Sequence, residues 1–416
     1  MTSKRSQWAR LGALIAVLGV ALIMSGIFIV SRAVPEPPRL RFPSLSYGIQ
    51  AFLWWNAGTR PRDLERIKLM RFGYVKQIFD WNDVRPDKSR PYDWSHSDLV
   101  VAEANYRSIG VIARLDKAPI WAILPAFSDP NQPPYDLTAV HDFCHDLADH
   151  YKGKIVGYQV WNEPNLSREW EGRTPNPAAY VKMLAACYKG VKSADPAAIV
   201  ISAPLAPTGN NDQNAMSDVK YLEGMYSAGL SDYYDVLGLN APGYKSPPDM
   251  SPDDPSLNGS RWFVFRHVED MRKIMVNHGD GDRQIAILEV GWTTDSRDKI
   301  KGPDGTLIAN PYRWHAVTEQ QQSDYLVGAY EYAAKNWRPW VGLVVTIYLP
   351  DPDWTPDREE YWWSIAEVGN VDRVKGAFIN LANSARYTGD KTDPVMPQGG
   401  NPYTPMPPMP TFTPTP

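Results

Sequence analysis

The chain has 416 residues, too many for one small domain and few for three, although an α/β barrel alone can exceed about 250. Lys and Arg number 43 against 47 Asp and Glu, a net charge of −4 with no dense basic run, which argues against a nucleic-acid partner. A hydrophobic share of 43% excludes wholesale disorder, and two cysteines exclude a disulfide scaffold or a four-thiolate zinc site, leaving 16 Trp and 22 Tyr to be explained.

Residues 1–10 carry Lys4, Arg5 and Arg10 and precede an unbroken apolar run over 11–30, LGALIAVLGVALIMSGIFIV. These 20 residues, at about 1.5 Å each, span about 30 Å, the hydrocarbon thickness of a bilayer. The positive flank keeps residues 1–10 in the cytoplasm and sends the rest outward. A signal peptide has an apolar core of about 7–15 residues, and Ser31-Arg32-Ala33 is a poor cleavage sequence. A single-pass transmembrane signal-anchor in the cell membrane is therefore expected, with a cleaved signal and secretion as the alternative. Residues 31–44, with Val34-Pro35-Glu36-Pro37-Pro38, read as a stiff Pro-rich spacer.

Between 45 and 388, short apolar β-branched runs alternate with stretches of helical period. Strands are expected at 47–52, 74–79, 111–115, 155–161, 199–203, 236–240, 285–289 and 341–348. Between them lie patterns such as Val140, Phe143, Cys144, Leu147 and Tyr151, which repeat at helix spacing. Strands apolar on both faces and separated by helices require a parallel sheet. Eight such repeats predict an α/β fold of the (β/α)8 TIM barrel type, with a doubly wound open sheet as the rival. That rival often shows a Gly-rich turn after its first strand, where this chain has Ala51-Phe52-Leu53-Trp54-Trp55-Asn56. Residues 389–416 read as a Pro-rich disordered tail, since nine of the 23 residues over 394–416 are proline.

In such a barrel the C-terminal ends of the strands face the active site. Those ends carry Asp80 and Trp81, Arg114 and Asp116, Asn162 and Glu163, Asn240 with Tyr244, Glu289 with Trp292, and Tyr348. Glu163 and Glu289 each follow a buried apolar strand, where an unused charge costs desolvation. One such Glu could simply pair with a strand-end arginine such as Arg114. Two, each flanked by Trp and facing one mouth, point to catalysis.

Trp161-Asn162-Glu163-Pro164 on the fourth strand and Glu289-Val290-Gly291-Trp292 on the seventh resemble the signatures of clan A retaining glycoside hydrolases. Phe79-Asp80-Trp81-Asn82-Asp83-Val84-Arg85-Pro86, followed by Tyr92-Asp93-Trp94, is similar to the second-strand region of family 39 and family 5-like members. Asp235-Val236-Leu237-Gly238-Leu239-Asn240 resembles their sixth strand, so the likeness covers nearly all of 45–388. It implies Glu163 as general acid/base, Glu289 as nucleophile and Asn162 as partner of the sugar 2-hydroxyl. The chemistry asks for the same division, one carboxyl protonated to donate to the leaving oxygen and one ionised to attack the anomeric carbon. The implied protein hydrolyses β-linked O-glycosidic bonds of an oligo- or polysaccharide, as a monomer, with no metal and no cofactor. A glycan-binding pseudoenzyme and a transglycosylase are the alternatives. Two positions depart from the pattern. Relatives carry a His shortly before the Tyr after strand six, where this chain has Ala241-Pro242-Gly243, and a Thr before the nucleophile, where it has Leu288. Tyr244 is still expected to hydrogen-bond the nucleophile.

Sugar rings stack apolar C–H faces on Trp and Tyr, and Trp54, Trp55, Trp81, Trp121, Trp161, Trp292, Trp354, Trp362 and Trp363 all fall at or beyond strand ends. Any one Trp there is as often packing as stacking. Tyr361-Trp362-Trp363 most resembles the family's platform under the cleaved sugar, with Trp362 as the candidate and Trp363 as the alternative. Substrate contacts are thus expected from Asp80, Trp81, Arg114, Asn162, Asn240, Tyr244, Trp292, Tyr348 and Trp362. His141, His145 and Asp149 share one stripe of an outer helix and read as a solvated face rather than a metal site. Cys144 and Cys187 lie on core stripes of consecutive helices and are expected as buried free thiols, with a disulfide as the alternative in an exported protein.

Overall fold

The eight apolar runs form eight parallel strands: β1 (Ser46–Gln50), β2 (Tyr74–Asp80), β3 (Gly110–Asp116), β4 (Ile155–Val160), β5 (Ile199–Ser202), β6 (Val236–Asn240), β7 (Gln284–Val290) and β8 (Val341–Thr346). Each pairs with its neighbours in the chain, and β8 pairs with β1, Ser46 opposite Leu343, to close the barrel. No expected strand end moved by more than two residues. The computed structural model describes residues 40–123, 133–170, 172–302, 304–368 and 374–384, with the backbone of 386–388 and 391–393. The expected anchor at 11–30 and the tail beyond 393 lie outside these residues. Among the described residues, no helix is long and apolar enough to cross a membrane.

A helix follows every strand: α1 (Arg60–Leu69), α2 (Ser95–Tyr106), α3 (Leu137–His150), α4 (Pro177–Ala194), α5 (Asp218–Ser227), α6 (Val268–Asn277), α7 (Glu319–Asn336) and α8 (Gly376–Asn383). Their starts are written in the sequence. Asp136 caps α3 by accepting from the backbone N–H groups of Thr138 and Ala139, and Asn176 caps α4 ahead of Pro177. Alternation along the strands divides the core in two. Ile112, Ile201, Val236, Ala286, Leu288 and Val345 fill the barrel interior, and the opposite strand faces pack against the helices. Phe42 plugs the N-terminal end, fully buried, with its backbone held by the Gln284 side chain at 2.9 and 3.0 Å. Arg41 and Phe42, the end of the expected spacer, therefore belong to the barrel.

Cys144 and Cys187 are joined in a disulfide, their Cα atoms 5.2 Å apart, so the expectation of free thiols is corrected. Helix periodicity places each cysteine on an inward stripe but says nothing about whether two stripes meet. They meet because Gly190 on α4 lies against the His141 carbonyl of α3, where a side chain would collide. On the outer side of α3, His141 and His145 contact Asp142 and Asp146 at 3.0 and 3.1 Å.

One irregularity shapes the functional end. Against β6, Leu239 is opposite Ile287 while Asn240 is opposite Glu289; against β8, Val344 is opposite Ile287 while Thr346 is opposite Val290. At this level β7 holds one residue more than either neighbour, a β-bulge, whereas lower down, between Val341 and Leu343, β8 holds the extra residue against β7. Strict alternation from the inward Ala286 and Leu288 would send Glu289 out toward the helices. The bulge turns it to the mouth.

Candidate active site

Glu163 and Glu289 meet above the C-terminal end of the barrel. Asn240, the last residue of β6, bridges them: its Nδ2 lies 2.9 Å from Glu163 Oε1 and 3.3 Å from Glu289 Oε2. The oxygens that it joins can be no farther apart than those two bonds laid end to end.

The turn that presents Glu163 is strained. Trp161 and Glu163 have φ of 73° and 39°, a left-handed conformation that side chains other than Gly rarely adopt. The surroundings hold it there. Glu163 N–H donates to the Pro204 carbonyl at 3.0 Å, and the Asn165 side chain is bonded to Ala206 and Met216 of the next loop. Beneath the turn, Gln159 Nε2 donates to Asn162 Oδ1 at 3.3 Å, fixing the asparagine.

Glu289 rests on buried cations. Lys76 pairs in register with the inward-facing Ile112, so it too points into the barrel. Its ammonium donates to Glu289 Oε1 at 3.0 Å and to the Leu288 carbonyl at 2.9 Å. Arg114 is clamped by Asp116 through Nε and Nη2, at 2.9 and 2.6 Å, and turns Nη1 toward Glu289 at 3.8 Å. Burial pulls the Lys76 amine down to about 8 against the pull of the Glu289 charge. Glu163 receives its cation differently, from Arg168 Nη2 at 2.8 Å, a side chain that is 69% exposed. Glu169 beside them is pushed up to about 7 by burial, with Arg114 opposing and Glu163 adding to the push.

These groups line a cavity of about 580 Å³. Seven expected residues are on its wall: Arg114, Asn162, Glu163, Asn240, Tyr244, Glu289 and Tyr348. Four are not. Trp292 is fully buried and donates Nε1–H to the Ser246 carbonyl at 2.9 Å. Trp81 is buried against Phe143, the rings stacked at 4.5 Å. Asp80 caps the single turn Trp81–Val84 by accepting from Asp83 N–H. Trp362 turns away to the Pro356 carbonyl, and Trp363 lines the cavity instead. Trp54, Trp161 and Trp354 are packing residues too, each less than one tenth exposed. Tyr244 does not hold Glu289; its hydroxyl donates to the Pro207 carbonyl at 2.9 Å.

Sequence reading missed Lys76, Arg168, Glu169, Tyr312, His315, Glu359 and Glu360. Only Lys76 left a signal, a lysine midway along an otherwise buried strand. Arg168, Glu169, Tyr312 and His315 sit on loops and single 3-10 turns, and Glu359 and Glu360 open a five-residue helix, all too short to show a period. His315 is 5% exposed, neither ring nitrogen has a hydrogen-bond partner among the described residues, and burial pulls it down to about 4. Among the described residues, no group of three or more His, Cys, Asp or Glu side chains is arranged to hold a metal ion.

The sequence matches no protein-family model and no curated protein. Solved structures do share its fold. A family 39 glycoside hydrolase from the gut symbiont Bacteroides cellulosilyticus WH2 aligns with a TM-score of 0.58 at 17% identity, covering 84% of this chain and 64% of that one. The chain thus spans less than two thirds of that enzyme's length. A glucosidase from Croceicoccus marinus aligns at 0.57 and 16% identity over 84% of this chain and 68% of its own. Xylanase 10B from Thermotoga maritima gives 0.53 and 14%, over 80% and 93%. The chain carries the eight-stranded parallel barrel that these glycoside hydrolases share.

Proposed function

We propose that the chain is a retaining glycoside hydrolase acting on a neutral β-linked glycan, with Glu289 as nucleophile and Glu163 as acid/base. The observation that carries this reading is the single Asn240 amide bonded to both carboxylates. It favours the short separation of about 5–5.5 Å used in retaining catalysis over the about 6.5–9.5 Å that leaves room for an inverting water.

The steps follow from the two environments. A Glu289 oxygen attacks the anomeric carbon while the proton on Glu163 passes to the leaving glycosidic oxygen, whose bond to that carbon breaks. A glycosyl ester on Glu289 results. Glu163, now a carboxylate, takes a proton from water as that water attacks the anomeric carbon and releases Glu289. Lys76 and Arg114 face the carboxylate that attacks and leaves. In this reading Asn162, on the pocket wall, donates to the sugar.

The apolar run at 11–30 and its basic flank support a further reading, that the barrel is exported and held at a membrane. The Cys144–Cys187 bridge suits an oxidising compartment. Carbonate extraction of membranes and protease accessibility of the barrel in intact cells test that placement.

The function is tested with aryl β-glycosides, following the first product by NMR. Turnover with retained configuration at the anomeric carbon is the expected result. Inversion, or sugar binding without turnover, would refute the mechanism.

A further inference from the structure

Thr208 lines the catalytic pocket and also a second cavity of about 400 Å³, built by the loops after β5 and β6 and the adjoining ends of α5 and α6. Trp262, Val219 and Ile274 give this cavity apolar surface, while Asn211 and Ser217 give it an amide and a hydroxyl. The Trp262 ring lies against Gly209, where any side chain would collide, so the indole is fixed by the backbone behind it.

The charges in the wall are matched. His267 lies between Asp218 and Asp270, with ring nitrogens 2.9 and 3.1 Å from their carboxylates. Arg261 donates to both oxygens of Asp270 at 2.9 and 2.7 Å. Burial works against the His267 charge, but the two carboxylates outweigh it and hold the group up at about 9. Two anions therefore stand against two cations, and the wall makes no demand for an ionic ligand.

A strip of rings joins the two cavities. Trp262 touches Phe263 with centroids 5.5 Å apart, and Phe263 touches Trp314 at 4.9 Å. Trp314 stacks on His315 at 4.6 Å, and His315 meets Trp363 at 5.9 Å on the wall of the catalytic pocket. Trp314 is 51% exposed, a large apolar surface left open along the strip. His315, itself 5% exposed, backs the strip with its ring face. Apolar faces, fixed rings and uncharged polar groups in one continuous path are what a saccharide chain requires.

We propose that the second cavity is a distal subsite for the same glycan chain that is cleaved between Glu163 and Glu289, so that the enzyme binds a polymer well beyond the scissile bond. The proposal rests on the glycosidase reading of the catalytic pocket.

The probe is a ladder of β-1,4-linked xylo- and cello-oligosaccharides, from disaccharide to hexasaccharide. It is titrated by calorimetry into the full chain carrying Glu289→Gln, which binds without turnover. Affinity should rise at least about tenfold along the ladder, and Trp262→Ala in the same background should remove that rise. In case loss of the indole disturbs the loop, Val219→Trp provides a second route, because residue 219 is 40% exposed on α5 and a larger side chain there fills the cavity from its rim. It should remove the same rise. Affinity that is flat with length, a rise that survives both substitutions, or no binding by any member of the ladder overturns the proposal. Aryl glycoside hydrolysis by the unsubstituted chain reports separately on Glu163 and Glu289. Hydrolysis with flat affinity refutes the distal subsite alone, and a length-dependent rise without hydrolysis refutes only the catalytic assignment.

Discussion

Glu289 and Glu163 share one amide donor, Asn240, and differ in nearly everything else that touches them. Glu289 stands on side chains from the strands, Lys76 with no exposed surface and Arg114 with 12%. Glu163 meets an arginine on a loop that is 69% exposed. A nucleophile does one thing in both half-reactions, attacking and leaving as a carboxylate. An acid/base must give up a proton and take it back, so a fixed buried cation would oppose half of its work. The contrast between a rigid support and a removable one supports the division of roles, and it can be tested from either side.

The largest effects belong to the carboxylates themselves. Glu163→Gln should lower kcat/KM by about 10²–10⁴-fold on a poor leaving group and far less on an activated one. Glu289→Gln should be at least as costly on every leaving group. Azide then separates the two: it should restore turnover to Glu163→Gly with retained configuration in the glycosyl azide, and to Glu289→Gly with inversion. The same configuration from both variants would break the comparison.

Lys76→Met should cost about 10²-fold in kcat/KM, less than the roughly 3–5 kcal/mol of fully breaking a buried pair because Arg114 remains. The pH profile carries the sharper signature. The Lys76 amine is cationic below about 8 and neutral above it. Activity should fall as pH rises through that value, and the limb should vanish in the Met variant. A limb that persists assigns it to another group.

Arg168→Ala should change kcat/KM by no more than about fivefold, as expected of an exposed ion pair worth about 0.2–1 kcal/mol. A hundredfold loss would show that the loop arginine is as much part of the support as Lys76. The smallest effect on activity is expected where α3 packs against α4. Replacing Cys144 and Cys187 by Ala should leave kcat/KM unchanged while lowering the unfolding free energy by about 2–4 kcal/mol, read from denaturant melts.

Much of this contrast was legible in the sequence and part was not. The strands were, because β-branched runs between helix-period stretches permit few folds. Glu163 and Glu289 were, because a carboxylate at the end of an apolar strand needs a reason. Lys76 obeyed the same rule yet lay mid-strand, outside the strand ends. Trp81 and Trp292 were misplaced because an indole against a sugar and an indole against Phe143 or Gly243 look alike in one dimension. Arg168, Trp262 and His315 sit on loops, where chain order says nothing about direction. The disulfide depended on how two helices are rotated about their axes, which periodicity leaves open.

The extra residue in β7 has a consequence for anyone who would transplant this chemistry. The aim of Glu289 is set by a count rather than by a neighbour, since one residue fewer returns the strand to regular alternation and swings the carboxylate behind the wall. Copying Glu163, Glu289, Asn240 and Lys76 into a regular eight-stranded barrel would give the right inventory with the Glu289 carboxylate facing a helix. The graft has to carry the irregularity along with the side chains.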